Sequence, residues 1–197
     1  MSLPERMVVG ISGASGAIYG IRALQVLRDL GVETHLVLSA GARATVALET
    51  EYTVEQVRGL ASVVHSDSNL AASIASGSFP TGGMLVAPCS IKTLSGVANS
   101  YADNLLVRAA DVTLKERRPL VLLVREAPLH PGHLRLMQIA ADSGAVILPP
   151  VPAFYHQPRT IMDLVDQTLG KALDLFGIDA ELYRRWLGAA QRQRGGA

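Results

Sequence analysis

The chain alternates between short apolar runs and longer segments in which apolar residues recur every three or four positions. The apolar runs are rich in Val, Ile and Leu and occupy residues 6–11, 33–38, 83–87, 120–124 and 145–148, with a weaker candidate at 62–65. Continuous apolar runs of this kind are typical of parallel strands that are covered on both faces. They predict an α/β protein with a mostly parallel sheet.

The segments between these runs predict helices that flank the sheet. The predicted helices span residues 17–30, 42–48, 91–98, 104–115, 133–143, 160–176 and 180–187. Alternation of strands and helices predicts a Rossmann-like three-layer fold. We expect one domain over residues 1–188, followed by a polar, Gly-rich tail at 189–197 that we expect to be flexible.

Composition narrows the classes of function. Hydrophobic residues make up 49% of the 197 residues and charged residues only 18%, which favours an α/β domain whose sheet is covered on both faces, or a subunit that buries much of its surface in an oligomer. A net charge of +1 disfavours a nucleic-acid partner. One cysteine allows no internal disulfide and fits a reducing compartment. Neither a signal peptide nor a membrane span of about 20 apolar residues is recognisable, so we expect a cytoplasmic protein.

Polar side chains follow each predicted strand, at the edge where parallel strands end and ligands bind. The stretch ISGASGAIYG (11–20) follows the first strand, PCSIKT (88–93) the third, and Arg125 the fourth. Two hydroxyl-rich turns at helix starts, together with an arginine, predict a phosphate site. Any one of these serines is equally explained as an ordinary helix N-cap.

The residue after the second strand distinguishes between phosphate ligands. A dinucleotide fold of the NAD type has an acidic residue there to hold the ribose hydroxyls. This chain has Ser39, and the nearest acid is Glu49, ten residues further on. The pattern therefore favours a mononucleotide such as FMN.

Three blocks carry a resemblance to a known family. They are SGASGAIYG (12–20), the long block APCSIKTLSGVANSYADNLLVRAADVTLKERRPLVLLVREAPL (87–129) and GAVILPPVPAFYHQP (144–158). In this order they resemble the flavin prenyltransferases of the UbiX family. The resemblance implies a Rossmann-like subunit in a homo-oligomer, a dodecamer with sites at subunit contacts. It also implies transfer of a dimethylallyl group from dimethylallyl monophosphate to N5 and C6 of reduced FMN, without a metal. The prenylated FMN would serve a UbiD-type decarboxylase.

The same resemblance assigns residues to the flavin. Those expected to bind FMN are Gly13, Ala14, Ser15, Ser39 and Arg125 at the flavin, with Ser90, Ile91, Lys92 and Thr93 at its phosphate. Glu49 matches a carboxylate near the reacting ring. Ser15 and Glu49 are the candidates for moving a proton during ring closure, and the sequence leaves open which of them does so.

A second group of residues is assigned to the prenyl donor. Tyr155 and Lys171 match contacts to the prenyl phosphate, whereas Arg108, Lys115 and Glu126 match residues that line this phosphate from neighbouring subunits. Arginine and lysine neutralise the charge that develops on a leaving phosphate, and Glu126 is suited to protonate it as a general acid. Lys171 stands where the family is expected to have arginine.

Alternatives remain at the level of sequence. One is an FMN-binding accessory or decarboxylase-like flavoprotein that transfers no prenyl group. Flavin-dependent cysteine decarboxylases are disfavoured, because residues 39–51 lack the histidine that they carry after the second strand. His130 and His133 have a spacing that can bind zinc, but no further ligands accompany them. The receiving decarboxylase, its pathway and the preference for a monophosphate or pyrophosphate donor stay open.

Overall fold

A computed structural model describes residues 3–186 as an α/β fold built on one parallel sheet. The strands are β1 (Arg6–Ile11), β2 (Glu33–Leu38), β3 (Val63–His65), β4 (Met84–Cys89), β5 (Leu120–Val124) and β6 (Val146–Ile147). All pairs are parallel, and their spatial order is β3-β2-β1-β4-β5-β6. The sheet therefore reverses its winding at the β1–β4 pair, where open α/β sheets bind ligands.

Helices cover both faces of the sheet. They are α1 (Ala17–Asp29), α2 (Ala40–Glu49), α3 (Val54–Arg58), α4 (Ile91–Ala98), α5 (Leu105–Lys115), α6 (Pro131–Asp142) and α7 (Ile161–Asp174), with a 3₁₀ helix at Ser73–Ala75. One buried core lies under α1, α2, α3 and α7, and the other under α4, α5 and α6. Within β1, Met7 and Val9 point to the first core and Val8 to the second. This alternation explains why consecutive residues from Met7 to Val9 are all apolar.

The predicted fold class is confirmed, and most predicted elements begin and end within two residues of the observed bounds. Two short elements were not predicted, the 3₁₀ helix and α3. The latter begins with a capping box in which Thr53 and Gln56 each accept a hydrogen bond from the other's backbone N–H. Such a box stabilises the start of even a five-residue helix. In the part of the chain that the structure describes, no helix is long and apolar enough to cross a membrane.

The predicted helix at 180–187 is wrong over residues 180–186, and residue 187 lies outside the described residues, as does the predicted tail at 189–197. Glu181 has a φ of 51°, which a right-handed helix does not allow. Further on, the Tyr183 hydroxyl donates to the Asp174 carboxylate at 2.7 Å, and Arg185 donates to both oxygens of that carboxylate at 2.7 and 3.0 Å. These bonds hold the segment against the end of α7 in a non-helical path.

Candidate functional site

A buried serine joins the turns that follow β1 and β4. Ser12 is fully buried; its hydroxyl donates to the Pro88 carbonyl at 2.9 Å and accepts from the Ser90 N–H at 2.7 Å. The Ser12 N–H also donates to the Pro88 carbonyl, at 3.2 Å. Two loops from neighbouring strands are thereby fixed to each other at the point where the winding of the sheet reverses.

The turn after β1 also meets the turn after β2 at very close range. A Cβ atom on Gly13 would lie 2.8 Å from the Gly41 Cα, closer than real Cβ atoms approach backbone. Beside this contact, Ser39 caps α2, and its hydroxyl accepts from the Ala42 N–H at 3.1 Å. Ser39 thus stands where a dinucleotide fold has its ribose-binding acid, so the local structure does not suit NAD.

The start of α4 suits the phosphate of a mononucleotide. Ser90 caps the helix: its hydroxyl accepts from the Thr93 N–H at 3.3 Å and lies 3.2 Å from the Thr93 hydroxyl oxygen. The first amides of a helix have no acceptor within the helix and favour an anion. With the exposed Lys92 on the same turn, the four residues predicted at the FMN phosphate lie on one helix start.

A cleft of about 360 Å³ opens beside these turns, at the same edge of the sheet. It brings together three of the predicted site residues, Ser15, Arg125 and Glu126. Its other walls are mostly apolar and are formed by Gly16, Tyr19, Val124, Ala127, Pro149, Pro150, Val151 and Pro152. The backbone of Arg125 is tied to β4, since its N–H donates to the Cys89 carbonyl at 3.0 Å. The arrangement suits a flat apolar ring with a charged group at one end.

Glu49, the last residue of α2, contacts the Gly16 turn, which lines this cleft. Its carboxylate accepts from the Gly16 N–H at 2.7 Å. Gly16 precedes α1 with a φ of 100° and has no side chain to cap the helix. A carboxylate from another helix therefore accepts a hydrogen bond from the backbone N–H of the N-cap residue, next to Ser15, and the helix dipole favours its negative charge. The structure thus places the two candidates for proton transfer at the same turn.

The predicted donor cations of α5 lie outside the cleft of their own chain. Arg108 is half-buried against the 3₁₀ helix and forms an ion pair with Asp111. Lys115 ends α5 and leads through residues 116–119 into β5, so it lies toward the edge where the strands begin. It is exposed and paired with Glu116, whose pKa it lowers. A single chain does not bring Lys115 to Arg125.

Tyr155 and Lys171 lie near the segment that follows α7. Tyr155 packs edge-to-face on the rings of His156 and Trp186, with centroids 5.6 and 5.9 Å away. Burial opposes ionisation of Asp174, but hydrogen bonds from the Arg185 guanidinium and the Tyr183 hydroxyl lower the pKa of this carboxyl overall. Lys171, exposed in the last turn of α7, adds a smaller effect through its charge. Neither Tyr155 nor Lys171 lines the cleft.

Two other reactive groups have structural roles. Cys89 is fully buried in β4, and burial raises the pKa of its thiol to about 12, so it is not a nucleophile. His130 caps α6, accepting from the Gly132 N–H at 3.0 Å, and its ring lies against that of His133, tilted by 37°, with centroids 3.6 Å apart. Residues 3–186 contain no cluster of three or more His, Cys, Asp or Glu side chains that could hold a metal ion.

Three parts of the site were not predicted from the sequence. They are the Ser12 bridge, Tyr19 in the cleft wall, and the apolar run 149–152. Burial raises the pKa of the Tyr19 hydroxyl, and a hydrogen bond with Thr168 partly offsets this rise. The position of the proline-rich run directly after a predicted strand could have placed it at the site, because ligands bind where parallel strands end. Nothing in the sequence distinguishes Ser12 from the serines around it.

Sequence comparisons place the chain among flavoproteins. The model of the family named Flavoprotein matches residues 1–173. Flavin prenyltransferase UbiX of Salmonella typhimurium is 62% identical over 188 residues, which cover 94% of this chain and 100% of that protein. Flavin prenyltransferase UbiX of Thauera aromatica is 59% identical over 188 residues, covering 95% and 97%.

Solved structures give the same assignment. A UbiX crystal structure in complex with FMN and dimethylallyl pyrophosphate matches with a TM-score of 0.92 and 51% identity, covering 94% of this chain and 98% of that one. A dodecameric FMN-dependent UbiX-like decarboxylase from Escherichia coli matches with a TM-score of 0.91 and 48% identity, covering 93% and 100%. Cypemycin decarboxylase, at 19% identity and a TM-score of 0.62, shares the fold alone. The chain belongs to the Flavoprotein family and, within it, to the UbiX flavin prenyltransferases.

Proposed function

We propose that this chain transfers the dimethylallyl group of dimethylallyl monophosphate to N5 and C6 of reduced FMN. The observation that carries the proposal is the meeting, at one sheet edge, of a hydroxyl-capped helix start at Ser90 and an apolar cleft containing Arg125 and Glu126. Relatives at 59–62% identity that are named flavin prenyltransferases support it, as does the related structure that holds FMN and dimethylallyl pyrophosphate.

The FMN site is formed by the turns after β1, β2 and β4. The start of α4, with Ser90 and Thr93, holds the phosphate, and the Ser12 bridge keeps this turn in register with the cleft. Gly13 allows the first two turns to approach each other. Reduced FMN supplies the nucleophilic ring atoms, and the chain orients the ring and keeps water from it.

The charged residues act on the donor. Arg108, Lys115 and Lys171 neutralise the phosphate as it leaves, and Tyr155 donates a hydrogen bond to it. Glu126, exposed in the cleft beside Arg125, protonates the leaving phosphate. Glu49 and Ser15, adjacent at the start of α1, are the pair that moves a proton during ring closure.

The placement of Lys115 favours a site shared between chains. Its exposed ammonium group lies toward the opposite edge of the sheet from its own cleft, so it serves the donor site of a neighbouring copy. A related UbiX-like decarboxylase is dodecameric, and we propose the same assembly here. The product is proposed to pass to a UbiD-type decarboxylase.

The test is chemical. The chain is mixed without oxygen with reduced FMN and either dimethylallyl monophosphate or dimethylallyl pyrophosphate, and the flavin is extracted for mass spectrometry. We expect a flavin heavier by one prenyl group with the monophosphate. Binding of FMN without any heavier flavin from either donor would contradict prenyl transfer and favour an accessory flavoprotein. Reaction with the pyrophosphate alone would contradict the proposed donor.

A further inference from the structure

Arg108 is held from two sides in a single orientation. Its Nε–H donates to the Ala75 carbonyl at 3.2 Å, and its Nη1 donates to the Asp111 carboxylate at 2.9 Å. Asp111 lies one turn further along α5, and the Arg108 and Asp111 side chains are 35% and 26% exposed. A guanidinium group has five N–H donors, so three remain after these two bonds, all at its Nη1 and Nη2 end.

The carbonyl that holds Arg108 is itself fixed in place. Ala75 ends the 3₁₀ helix, whose Ile74 is buried with 3% exposure. On one side, Asp67 accepts from the backbone N–H groups of the first two α5 residues at 2.7 and 3.1 Å. On the other, Arg118 donates to the Gly77 and Phe79 carbonyls, both at 2.8 Å. The segment that faces Arg108 is therefore anchored on both sides of Ala75.

We propose that Asp111 is a positioning residue that aims the Arg108 guanidinium at the phosphate of the prenyl donor. The inference rests on the proposed function, in which Arg108 meets that phosphate. Asp111 has no contact with the donor in this scheme. It restricts a long, flexible side chain to one orientation before the donor arrives, so that less entropy is lost on binding and the planar fork meets two phosphate oxygens together.

A simpler reading makes the pair an ordinary helix-surface ion pair three residues apart, with a small effect on stability and none on the donor. The two readings differ in what happens to donor binding. If Asp111 positions Arg108, its loss raises the KM for the donor and leaves FMN affinity unchanged, and the effect disappears when Arg108 is absent.

The experiment is a double-mutant cycle on the full chain. We expect Asp111→Ala to raise the KM for dimethylallyl monophosphate about ten-fold or more. This is the effect of losing one charge-assisted hydrogen bond between a misoriented Arg108 and the donor phosphate. FMN affinity, measured by fluorescence titration, should not change. Arg108→Gln should raise the donor KM at least as much, and adding Asp111→Ala to it should have no further effect. Asp111→Asn, which keeps shape and loses charge, guards against misfolding of the alanine variant.

The matched control is Asp166→Ala. Asp166 forms a bidentate ion pair with Arg22 at 2.7 and 3.1 Å, and these side chains, 20% and 27% exposed, resemble the first pair in burial. This change should lower stability and leave the donor KM alone. A wild-type donor KM in both Asp111 variants, or fully additive effects of Arg108→Gln and Asp111→Ala, would overturn the positioning role.

Calorimetric titration with dimethylallyl monophosphate separates this inference from the proposed function. If the wild type binds the donor, makes no prenylated flavin, and loses affinity on Asp111→Ala, then the transfer reaction fails and the positioning role stands. If the wild type makes the product and Asp111→Ala binds the donor as tightly as the wild type, then only the positioning role fails. Absence of donor binding to the wild type would overturn both.

Discussion

Removal of the Ser12 hydroxyl should uncouple the two turns that form the phosphate end of the site. In Ser12→Ala, the Ser90 N–H loses the acceptor that it has at 2.7 Å, while the Pro88 carbonyl keeps its bond from the Ser12 N–H. An unsatisfied buried amide costs about 1–3 kcal/mol, and the second lost bond adds about 0.5–1.5 kcal/mol. These ranges add to about 1.5–4.5 kcal/mol, and we expect the free energy of unfolding to fall by an amount in the lower half of that range, because the Ser90 amide is only half-buried.

Affinity for FMN should fall in the same variant, because Ser90 caps the helix start that is proposed to hold the phosphate. If displacement of this turn weakens the FMN-binding free energy by about 1.4 kcal/mol, the dissociation constant rises ten-fold. Urea unfolding at one fixed protein concentration measures stability, and flavin fluorescence measures Kd. The control is Ser143→Ala, which removes an exposed hydroxyl that donates to the Ile139 carbonyl at 2.9 Å and should change stability by less than about 0.5 kcal/mol. Equal effects of the two substitutions would refute the reasoning.

Three further predictions concern the chemistry and the pH response. Glu126→Gln should keep FMN affinity and slow prenyl transfer by about 10²–10⁴-fold, as for loss of a general acid; a wild-type rate would reject that role. Lys171→Ala should raise the KM for dimethylallyl monophosphate and spare FMN, while Lys171→Arg should retain activity; an unchanged donor KM in Lys171→Ala removes this residue from the site. Burial, with the neighbouring charge of His35, lowers the pKa of His65 from its usual 6.5, so the unfolded chain binds the proton more readily. The contribution of His65 to stability should be full above pH 6.5 and be lost as the pH drops through the lowered pKa. Between pH 7 and 5, the urea midpoint of His65→Gln should therefore depend less steeply on pH than that of the wild type. An equally steep dependence would exclude this histidine as the cause.

The fold was largely predictable because most of its strands contain continuous apolar runs and its helices are amphipathic, which are local patterns. The segment 180–187 shows where such patterns mislead. Ala180 and Leu182 both pack on the core beneath α7, and residues two positions apart share a face of an extended segment and not of a helix. They do so without helical backbone, because the bonds of Tyr183 and Arg185 to Asp174 stabilise another path. Tertiary hydrogen bonds of this kind leave no periodic signal.

The candidate site was predictable in its location and less so in its internal connections. Parallel topology places all strand ends together, so Ser15, Arg125 and Glu126 were expected at one edge, and they line one cleft. The bond from Gly16 to Glu49 joins residues 33 positions apart and required the fold. Contacts of the α5 cations with the flavin or the donor remain predictions, because the proposed site is shared between subunits and a single chain would contribute only its own part of it.

The sheet has unusually little exposed hydrogen-bonding edge. The outermost strands, β3 and β6, have three and two residues, and interior strands have five or six. A neighbouring copy that tried to extend the sheet would find too few unpaired backbone groups to form a stable ladder. The proposed assembly of subunits would therefore use helix and loop surfaces, which are the surfaces that carry the candidate ligand-binding residues. In the proposed assembly, contact between subunits and completion of the site would for that reason be coupled, and the same two short edge strands disfavour strand-to-strand aggregation.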